Sequence, residues 1–160
     1  MKNNFKNTIE VLNSFGRLLV EEYKDSLIRN EVNASDKLFK SVKYLFKSDN
    51  RYLEIDLELE NYYWYVENGR KAGKFPPIQK IEDWIKIKPV LPYRDKNGKL
   101  PTLNQLTYLI GRKIKEKGIQ GKHLLQKSVD EIYKEIEDRL VDALAEDLHK
   151  AVEIELLSLR

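Results

Sequence analysis

Apolar residues spaced three and four apart predict a long helix towards each end of the chain. The first covers residues 4–28, and Gly16 within it indicates close packing on the apolar face. The second is expected to begin at Ser128, where Glu131 completes the pattern of a capping box. Beyond Val152 the apolar positions alternate, which indicates a frayed end or a short strand. The two apolar stripes consist of Ile9, Leu12, Phe15, Leu19, Tyr23 and Leu27, and of Val129, Ile132, Ile136, Leu140, Leu144, Leu148 and Val152.

A β-hairpin is predicted between these helices. Residues 52–59 alternate Leu or Ile with Glu or Asp, which is the period of a strand with one buried and one hydrated face. Residues 42–47 form the other strand, and the turn-rich residues 48–51 join the two. A turn or cap signal at residues 33–36 and a short helical or extended piece at residues 37–41 precede the hairpin.

The middle of the chain differs from both ends in its amino-acid composition. Residues 61–67 are rich in aromatic side chains, and residues 68–77 form a basic loop punctuated by glycine and proline. A short helix is predicted over residues 78–87, and a loop follows at residues 89–101.

A further middle helix is predicted over residues 103–117, with Thr102 as its N-cap and Gly118 at its end. Together these elements predict a single α+β domain over residues 1–160. In it, a small antiparallel β-sheet is packed by a long N-terminal helix, two middle helices and a long C-terminal helix.

The charge distribution adds a second feature to this picture. Residues 1–69 carry 10 Lys/Arg against 12 Asp/Glu, residues 70–127 carry 15 against 4, and residues 128–160 carry 4 against 10. The net charge of +3 therefore conceals a region of +11 followed by one of −6. Such polarity indicates an electrostatic partner, either a nucleic acid or the acidic helix of a neighbouring copy.

Composition also excludes several classes of protein. The chain contains no cysteine, which excludes disulfides and thiolate chemistry and fits a reducing compartment. The sequence has no run of about 18 apolar residues, so no membrane span is expected. Its polar first residues, 1–6, have no apolar region behind them that would serve as a secretory signal.

Candidate chemistry is sparse, and we expect no catalytic, cofactor-binding or metal-binding residues. His123 and His149 lie far apart and lack the spacing of zinc ligands. Residues 69–74 lack the spacing of a phosphate-binding loop, and residues 118–121 match the Gly-x-x-Gly clamp of RNA-binding KH domains without the surrounding pattern. The carboxylates of the second strand are expected to form a hydrated face, and they are Glu54, Asp56, Glu58 and Glu60.

The aromatic and basic segment at residues 62–75 carries the strongest functional signal. Aromatic rings interleaved with Arg and Lys bind single-stranded nucleic acid by stacking. The same residue types are enriched at the centres of protein interfaces. Alternatively, half of the rings are core residues at the end of a strand, and these are Tyr63 and Tyr65 or Tyr62 and Trp64.

Residues 65–78 read Tyr-Val-Glu-Asn-Gly-Arg-Lys-Ala-Gly-Lys-Phe-Pro-Pro-Ile and are followed by Ile81, Trp84 and Ile85. This run resembles one that is common in tailed-phage neck and tail-completion proteins. There, a tyrosine-rich strand leads into Tyr-Val-Glu-x-Gly-Arg-Lys-x-Gly-Lys, an apolar residue, Pro-Pro and an Ile-x-x-Trp-Ile helix. Ala72 stands where that family commonly has Pro.

Two further blocks are similar to the same family. Residues 107–114 with residues 117–119 resemble its next helix, which ends in Lys-Gly-Ile. Residues 33–38 resemble its Ala-Ser-Gly-x-Leu segment, with Asp36 in place of Gly. The resemblance spans approximately residues 10–125.

The resemblance implies a structural virion protein without enzymatic activity or cofactor. It would form a ring of six or twelve copies at the head–tail junction, extend the portal channel, join the tail to the capsid and help retain DNA. Its implied partners are the portal, adaptor and tail proteins and, non-specifically, packaged DNA, with no membrane. Its implied location is the virion neck, and the host cytoplasm during assembly. The candidate interface or DNA-phosphate residues are Tyr65, Glu67, Arg70, Lys71, Lys74, Phe75 and Trp84.

Three alternatives remain open from the sequence. The first is a nucleic-acid-binding module that uses residues 62–75. The second is a nuclease that uses the strand carboxylates and a divalent metal. The third is an antitoxin-like or regulatory protein that dimerises through its long helices.

Overall fold

The computed structural model describes residues 5–32, 36–49, 52–88, 90, 92–94 and 96–158. Within them, six helices and four short strands confirm the α+β class. The strands form two separate antiparallel pairs, β1 with β2 and β3 with β4. The elements are α1 (Lys6–Arg29), α2 (Lys37–Ser41), β1 (Lys43–Ser48), β2 (Leu53–Glu58), α3 (Tyr63–Asn68), β3 (Gly69–Arg70), α4 (Ile78–Ile87), α5 (Leu103–Lys117), β4 (Ile119–Gln120) and α6 (Leu124–Ser158). Parts of the predicted elements lie outside the described residues, namely residue 4, residues 33–35, residues 50–51 and residues 89, 91 and 95.

Helices α1 and α6 pack along each other in opposite directions. Thr8 at the start of α1 donates a hydrogen bond to Asp147 in the later part of α6, whereas Tyr23 and Leu27 pack with Leu124, the first residue of α6. Because α6 has 35 residues and α1 has 24, their lengths are about 52 Å and about 36 Å. Among the described residues, no helix combines the length and the apolar character needed to cross a membrane.

The hydrophobic core lies where the end of α1, the start of α6 and the short elements between them meet. Burial raises the pKa of the Tyr23 hydroxyl, and the negative charge of Glu67 raises it further. The buried core side chains are Tyr23, Leu27, Leu38, Val42 and Leu124, and half-buried ones packed against them include Tyr62, Tyr63 and Val66.

The predicted hairpin is confirmed. β1 and β2 pair in antiparallel register, with Lys43 opposite Glu58. The hairpin lies on α1, where a Cβ added to Gly16 would come within 2.5 Å of Cδ2 in the Tyr44 ring. The close packing inferred from Gly16 is therefore confirmed, since a larger residue there would displace the Tyr44 ring.

The two middle helices are also confirmed, and they pack against each other. Thr102 caps α5 as predicted. Its hydroxyl accepts a hydrogen bond from the Gln105 N–H, while the Gln105 side chain accepts one from the Thr102 N–H. Gly118 ends α5 with φ of 70°, a conformation that glycine adopts without a steric cost.

The aromatic segment forms the helix α3, and not the end of a strand that one alternative considered. Tyr62, Tyr63 and Val66 pack on the core. Trp64 and Tyr65 face outward, with 58% and 62% of their surface exposed. The core-facing positions thus follow helical spacing rather than the alternation of a strand, and two of the four rings remain available at the surface.

Helix α6 begins at Leu124, so the start predicted at Ser128 is wrong. The cap comes from α3, where Glu67 Oε1 accepts a hydrogen bond of 2.9 Å from the Leu125 N–H. Ser128 is buried one turn later, and its hydroxyl has no partner among the described residues. A carboxylate from a distant element thus accepts a hydrogen bond from a backbone N–H in the first turn of α6. This contact, and not the local capping pattern at Ser128, determines where the helix begins.

The apolar stripe predicted along α6 faces α1 for half of its length. A step of four residues turns a helix about 40° beyond a full turn, so a strict four-residue repeat rotates away from a straight neighbour. The helix also continues to Ser158, so the strand-like end considered for its last residues is not formed. The buried side chains of α6 are Leu124, Ser128, Ile132, Ile136, Ala143 and Asp147, whereas Leu144, Leu148 and Val152 are exposed.

Candidate functional site

The chain leaving α3 crosses the chain leaving α5 where β3 pairs with β4. The two backbones approach so closely that three positions have no room for a side chain, which gives the Gly-x-x-Gly pair at residues 118–121 a structural use. A Cβ would meet a backbone oxygen at each position, and the three pairs are Gly69 with Ile119 (2.1 Å), Gly118 with Arg70 (2.3 Å) and Gly121 with Glu67 (2.1 Å).

The basic loop that follows β3 is fastened to the end of α5 through its backbone. The Gly73 N–H donates a hydrogen bond of 2.8 Å to the Lys115 carbonyl. The Arg70 guanidinium donates one of 3.1 Å to the Lys74 carbonyl and so braces the loop across its own turn. These contacts hold the loop beside the last turn of α5, which itself carries Lys115 and Lys117.

Phe75 anchors the far end of the loop. Its ring lies against Gly111 of α5, where an added Cβ would come within 2.3 Å of the Phe75 Cζ atom. The ring also stacks on Tyr108, with 6.0 Å between centroids and 29° between planes. Phe75 therefore has a packing role that the sequence did not reveal, and Gly111 is the residue that makes room for it.

Four of the candidate residues are thus brought together on one surface. Arg70 and Phe75 hold the loop in place, whereas Lys71 and Lys74 are exposed. The loop predicted at residues 68–77 is consequently shorter than expected, because α3 includes residue 68 and β3 includes residues 69–70. We refer to the exposed lysines of this loop and of the last turn of α5 as the basic loop surface; they are Lys71, Lys74, Lys115 and Lys117.

The remaining candidates lie elsewhere. Glu67 is 7% exposed, and its carboxylate caps α6. Tyr65 is exposed on the outer side of α3. Trp84 lines a groove of about 480 Å³ that α4, α5 and β4 border, together with Ile110 and Ile119.

Two lysines of the basic region have a structural role that sequence reasoning missed. Lys88 donates a hydrogen bond of 3.0 Å to the Glu31 carbonyl, and Lys122 donates one of 2.7 Å to the Asn30 carbonyl. Both ammonium groups therefore lie at the C-terminal end of α1, where the helix dipole favours positive charge. Because the whole region is rich in lysine, its sequence does not distinguish these two lysines from those that only face solvent.

Two carboxylates of the hairpin, Glu54 and Glu58, lie opposite lysines, whereas Asp56 lies opposite Leu45. Lys47 forms an ion pair with Asp56, and hydrogen bonding from Lys47 lowers the pKa of that carboxyl. Glu54 and Glu58 are exposed, which agrees with the hydrated face expected from the alternating pattern. Within the described residues, no group of three or more His, Asp or Glu side chains has an arrangement that would hold a metal ion.

No family model matches the sequence, and comparisons with curated proteins and with solved structures give no significant match. The resemblance of residues 65–85 to tailed-phage neck proteins therefore remains a hypothesis.

Replacing Phe75 with alanine is expected to release the basic loop from α5. Trypsin should then cleave after Lys71 or Lys74 about tenfold faster than in the unmodified protein. The reason is that the substitution lowers the free energy of local opening of the loop by a little over 1 kcal/mol. Limited proteolysis followed by mass spectrometry measures this rate. Tyr93→Ala, which removes a ring that is 97% exposed, is the matched control and should leave the rate unchanged. Equal cleavage of Phe75→Ala and the unmodified protein would contradict the anchoring role.

Proposed function

We propose that this chain is a non-enzymatic structural subunit of a tailed phage that forms a ring at the head–tail junction. In that position it would extend the portal channel, join the tail to the capsid through contacts with portal, adaptor and tail proteins, and help retain packaged DNA. It would act in the virion neck after assembly in the host cytoplasm. The resemblance of residues 65–85 suggests the site of action, and the exposed surface of the chain supports a role in an assembly.

The observation that carries the proposal is the size of that surface. The chain exposes 12234 Å², whereas a compact monomer of 18.9 kDa exposes about 8300 Å². The excess of about 3900 Å² falls within the range that permanent protein interfaces bury, about 2000–5000 Å². Among the described residues, 22 large apolar side chains are exposed and ten hydrophobic side chains are buried. A surface of this kind is typical of a subunit that is covered in its assembly.

Removal of the gene from the phage that encodes this chain tests the proposal. We expect filled heads and complete tails that remain unattached in electron micrographs, with attachment restored when the chain is supplied from a plasmid. Normal joined particles in the absence of the chain would overturn the proposal.

The nucleic-acid alternative rests on the basic loop surface, which an anchored loop presents next to the last turn of α5. It predicts tight binding of DNA or RNA by the isolated monomer. The neck proposal predicts weak contact with DNA phosphates until a ring forms.

A double substitution measures how far the basic loop surface contributes to DNA contact. For Lys71→Glu with Lys74→Glu, binding to a DNA duplex should weaken. The slope of log K against log salt concentration should decrease in magnitude by about 2. Fluorescence anisotropy over a salt series measures both quantities. Lys37→Glu with Lys40→Glu on α2 makes the same change of charge and is expected to have a smaller effect. An unchanged salt dependence in the loop variant would exclude phosphate contact by these lysines.

A further inference from the structure

The later part of α6 exposes an apolar stripe at helical spacing. Its members are between 41% and 62% exposed. They recur at intervals of three and four residues, so they lie on one side of the helix, adjacent to the side that packs on α1. We call this surface the α6 stripe; it consists of Val141, Leu144, Leu148, Val152 and Leu156.

The groove between α4 and α5 is the second exposed apolar surface. It has a volume of about 480 Å³, and its polar lining includes Lys80 of α4 and Glu31, which follows α1. We call it the α4–α5 groove; its apolar lining is Ile81, Trp84, Ile110, Ile114 and Ile119.

The two surfaces carry opposite charge. Residues 137–156, which include the α6 stripe, contain seven Asp/Glu against two Lys/Arg. The α4–α5 groove is lined by three lysines, Lys80, Lys88 and Lys122, against one carboxylate, Glu31. An acidic helix with an apolar side is therefore complementary to a basic groove with an apolar floor.

The two surfaces lie too far apart to meet within one molecule. Ile119 and Lys122 of the groove immediately precede the first turn of α6. Leu148, the middle of the α6 stripe, lies 24 residues after Leu124, which corresponds to about 36 Å along the helix. Among the described residues, the α6 stripe therefore does not reach the α4–α5 groove of its own chain, and a contact between the two surfaces requires a second molecule.

We propose that the α6 stripe of one copy docks into the α4–α5 groove of a second copy of this chain. This proposal rests on the ring function proposed above and specifies the contact that builds the ring. The mode is a helix held in a groove by side chains at intervals of three and four residues. Because the two surfaces differ, the contact joins copies head to tail, and such contacts close into rings when the rotation between copies allows it.

A mixing experiment with two variants tests this contact. The stripe variant, Leu148→Asp with Val152→Asp, keeps an intact groove. The groove variant, Lys80→Glu with Trp84→Ala, keeps an intact stripe. We expect each variant alone to be a monomer under conditions in which the unmodified chain self-associates. Their mixture should form a one-to-one complex of about twice the 18.9 kDa chain mass, measured by light scattering. This complex should weaken as salt rises.

Several results would overturn the docking proposal. Self-association of the groove variant alone would indicate that α6 packs on α6 of the other copy. An unmodified chain that stays monomeric at high concentration and low salt would exclude the contact as a source of assembly. Rings that persist in both variants would also exclude it while leaving the ring function intact, whereas joined particles without the chain would overturn that function.

Leu45→Asp is the matched control for these substitutions. Leu45 is an apolar residue of β1 with 45% of its surface exposed, and it belongs to neither proposed contact surface. Its replacement should leave the mass of the assembly unchanged. Circular dichroism and thermal unfolding establish that each variant is folded, so that a loss of mass reports a lost contact.

Discussion

Asp147→Ala is expected to lower the free energy of unfolding by about 3 kcal/mol, because it removes a buried carboxylate that holds the start of α1. Asp147 is 1% exposed. Its oxygens accept hydrogen bonds from the Thr8 N–H at 2.8 Å, the Thr8 hydroxyl at 2.9 Å and the Asn7 N–H at 3.3 Å. The carboxylate thus caps α1 from α6 and places negative charge at the positive end of the α1 dipole. Denaturant unfolding measures the loss.

Asp142→Ala is the matched control, since Asp142 lies on the exposed side of the same helix. It should change the free energy of unfolding by less than about 0.5 kcal/mol. A double-mutant cycle with Thr8→Val should give a coupling energy of about 1 kcal/mol or more. A loss of stability in Asp147→Ala no larger than in Asp142→Ala would contradict the capping role.

The same contact predicts a dependence of stability on pH. Burial raises the pKa of Asp147, but the hydrogen bonds from Thr8 and Asn7 outweigh burial and place the pKa below its ordinary value. A carboxyl with a depressed pKa in the folded state stabilises the fold above its unfolded pKa of about 3.9 and loses this contribution as pH falls through the folded value. Asp147→Ala should therefore lose less stability than the unmodified protein on acidification below about pH 4.

Gly69→Ala is expected to have the second large effect, a loss of about 3 kcal/mol or more in the free energy of unfolding. Gly69 has φ of 71° and ψ of −156°, a conformation that is essentially restricted to glycine. An added Cβ would also lie 2.1 Å from the Ile119 carbonyl oxygen, and a backbone atom cannot move aside as a side chain can. The substitution should separate β3 from β4, and denaturant unfolding measures its cost.

Gly73→Ala separates the two causes of this effect. Gly73 also has positive φ, at 124°, but a Cβ there would have nothing within 4 Å. It should therefore cost about 1 kcal/mol through backbone conformation alone. Equal losses for the two substitutions would contradict the close approach of β3 and β4.

Local patterns predicted those parts of the fold that depend on local physics. The apolar spacing of residues 9–27 places α1, the alternation of residues 52–59 places β2, and the Thr102 capping box places the start of α5. Each of these patterns depends on interactions between residues that are close in sequence. The tertiary contacts of the fold favour the same local structure and do not override it.

The errors arise where a distant residue decides the outcome. Glu67 caps α6 through a hydrogen bond to Leu125, 58 positions later in the sequence, and no local sequence pattern predicts this contact. The four-residue apolar repeat of α6 predicts an exposed side chain at position 147. Asp147 is buried there because Thr8 donates hydrogen bonds to its carboxylate. The alternative of a strand end at the aromatic segment paired Tyr63 with Tyr65 or Tyr62 with Trp64, whereas the helix places Tyr62 and Tyr63 on the core.

The candidate site was predictable in its location but not in the division of roles. The sequence indicated residues 62–75 because aromatic rings and Arg or Lys residues occur together there. It did not separate the residues that hold the loop, Arg70 and Phe75, from Lys71 and Lys74, which the loop presents to solvent. That separation depends on Gly111 of α5, which contacts Phe75 across 36 positions of sequence.

The mass of the purified protein in solution, measured by light scattering at low and moderate salt, tests the central proposal most directly. The proposed ring subunit predicts a closed multimer of six or twelve copies, or a monomer that forms such rings when the portal complex is added. A stable dimer that binds DNA tightly and never forms rings would contradict it and favour the nucleic-acid or regulatory alternative.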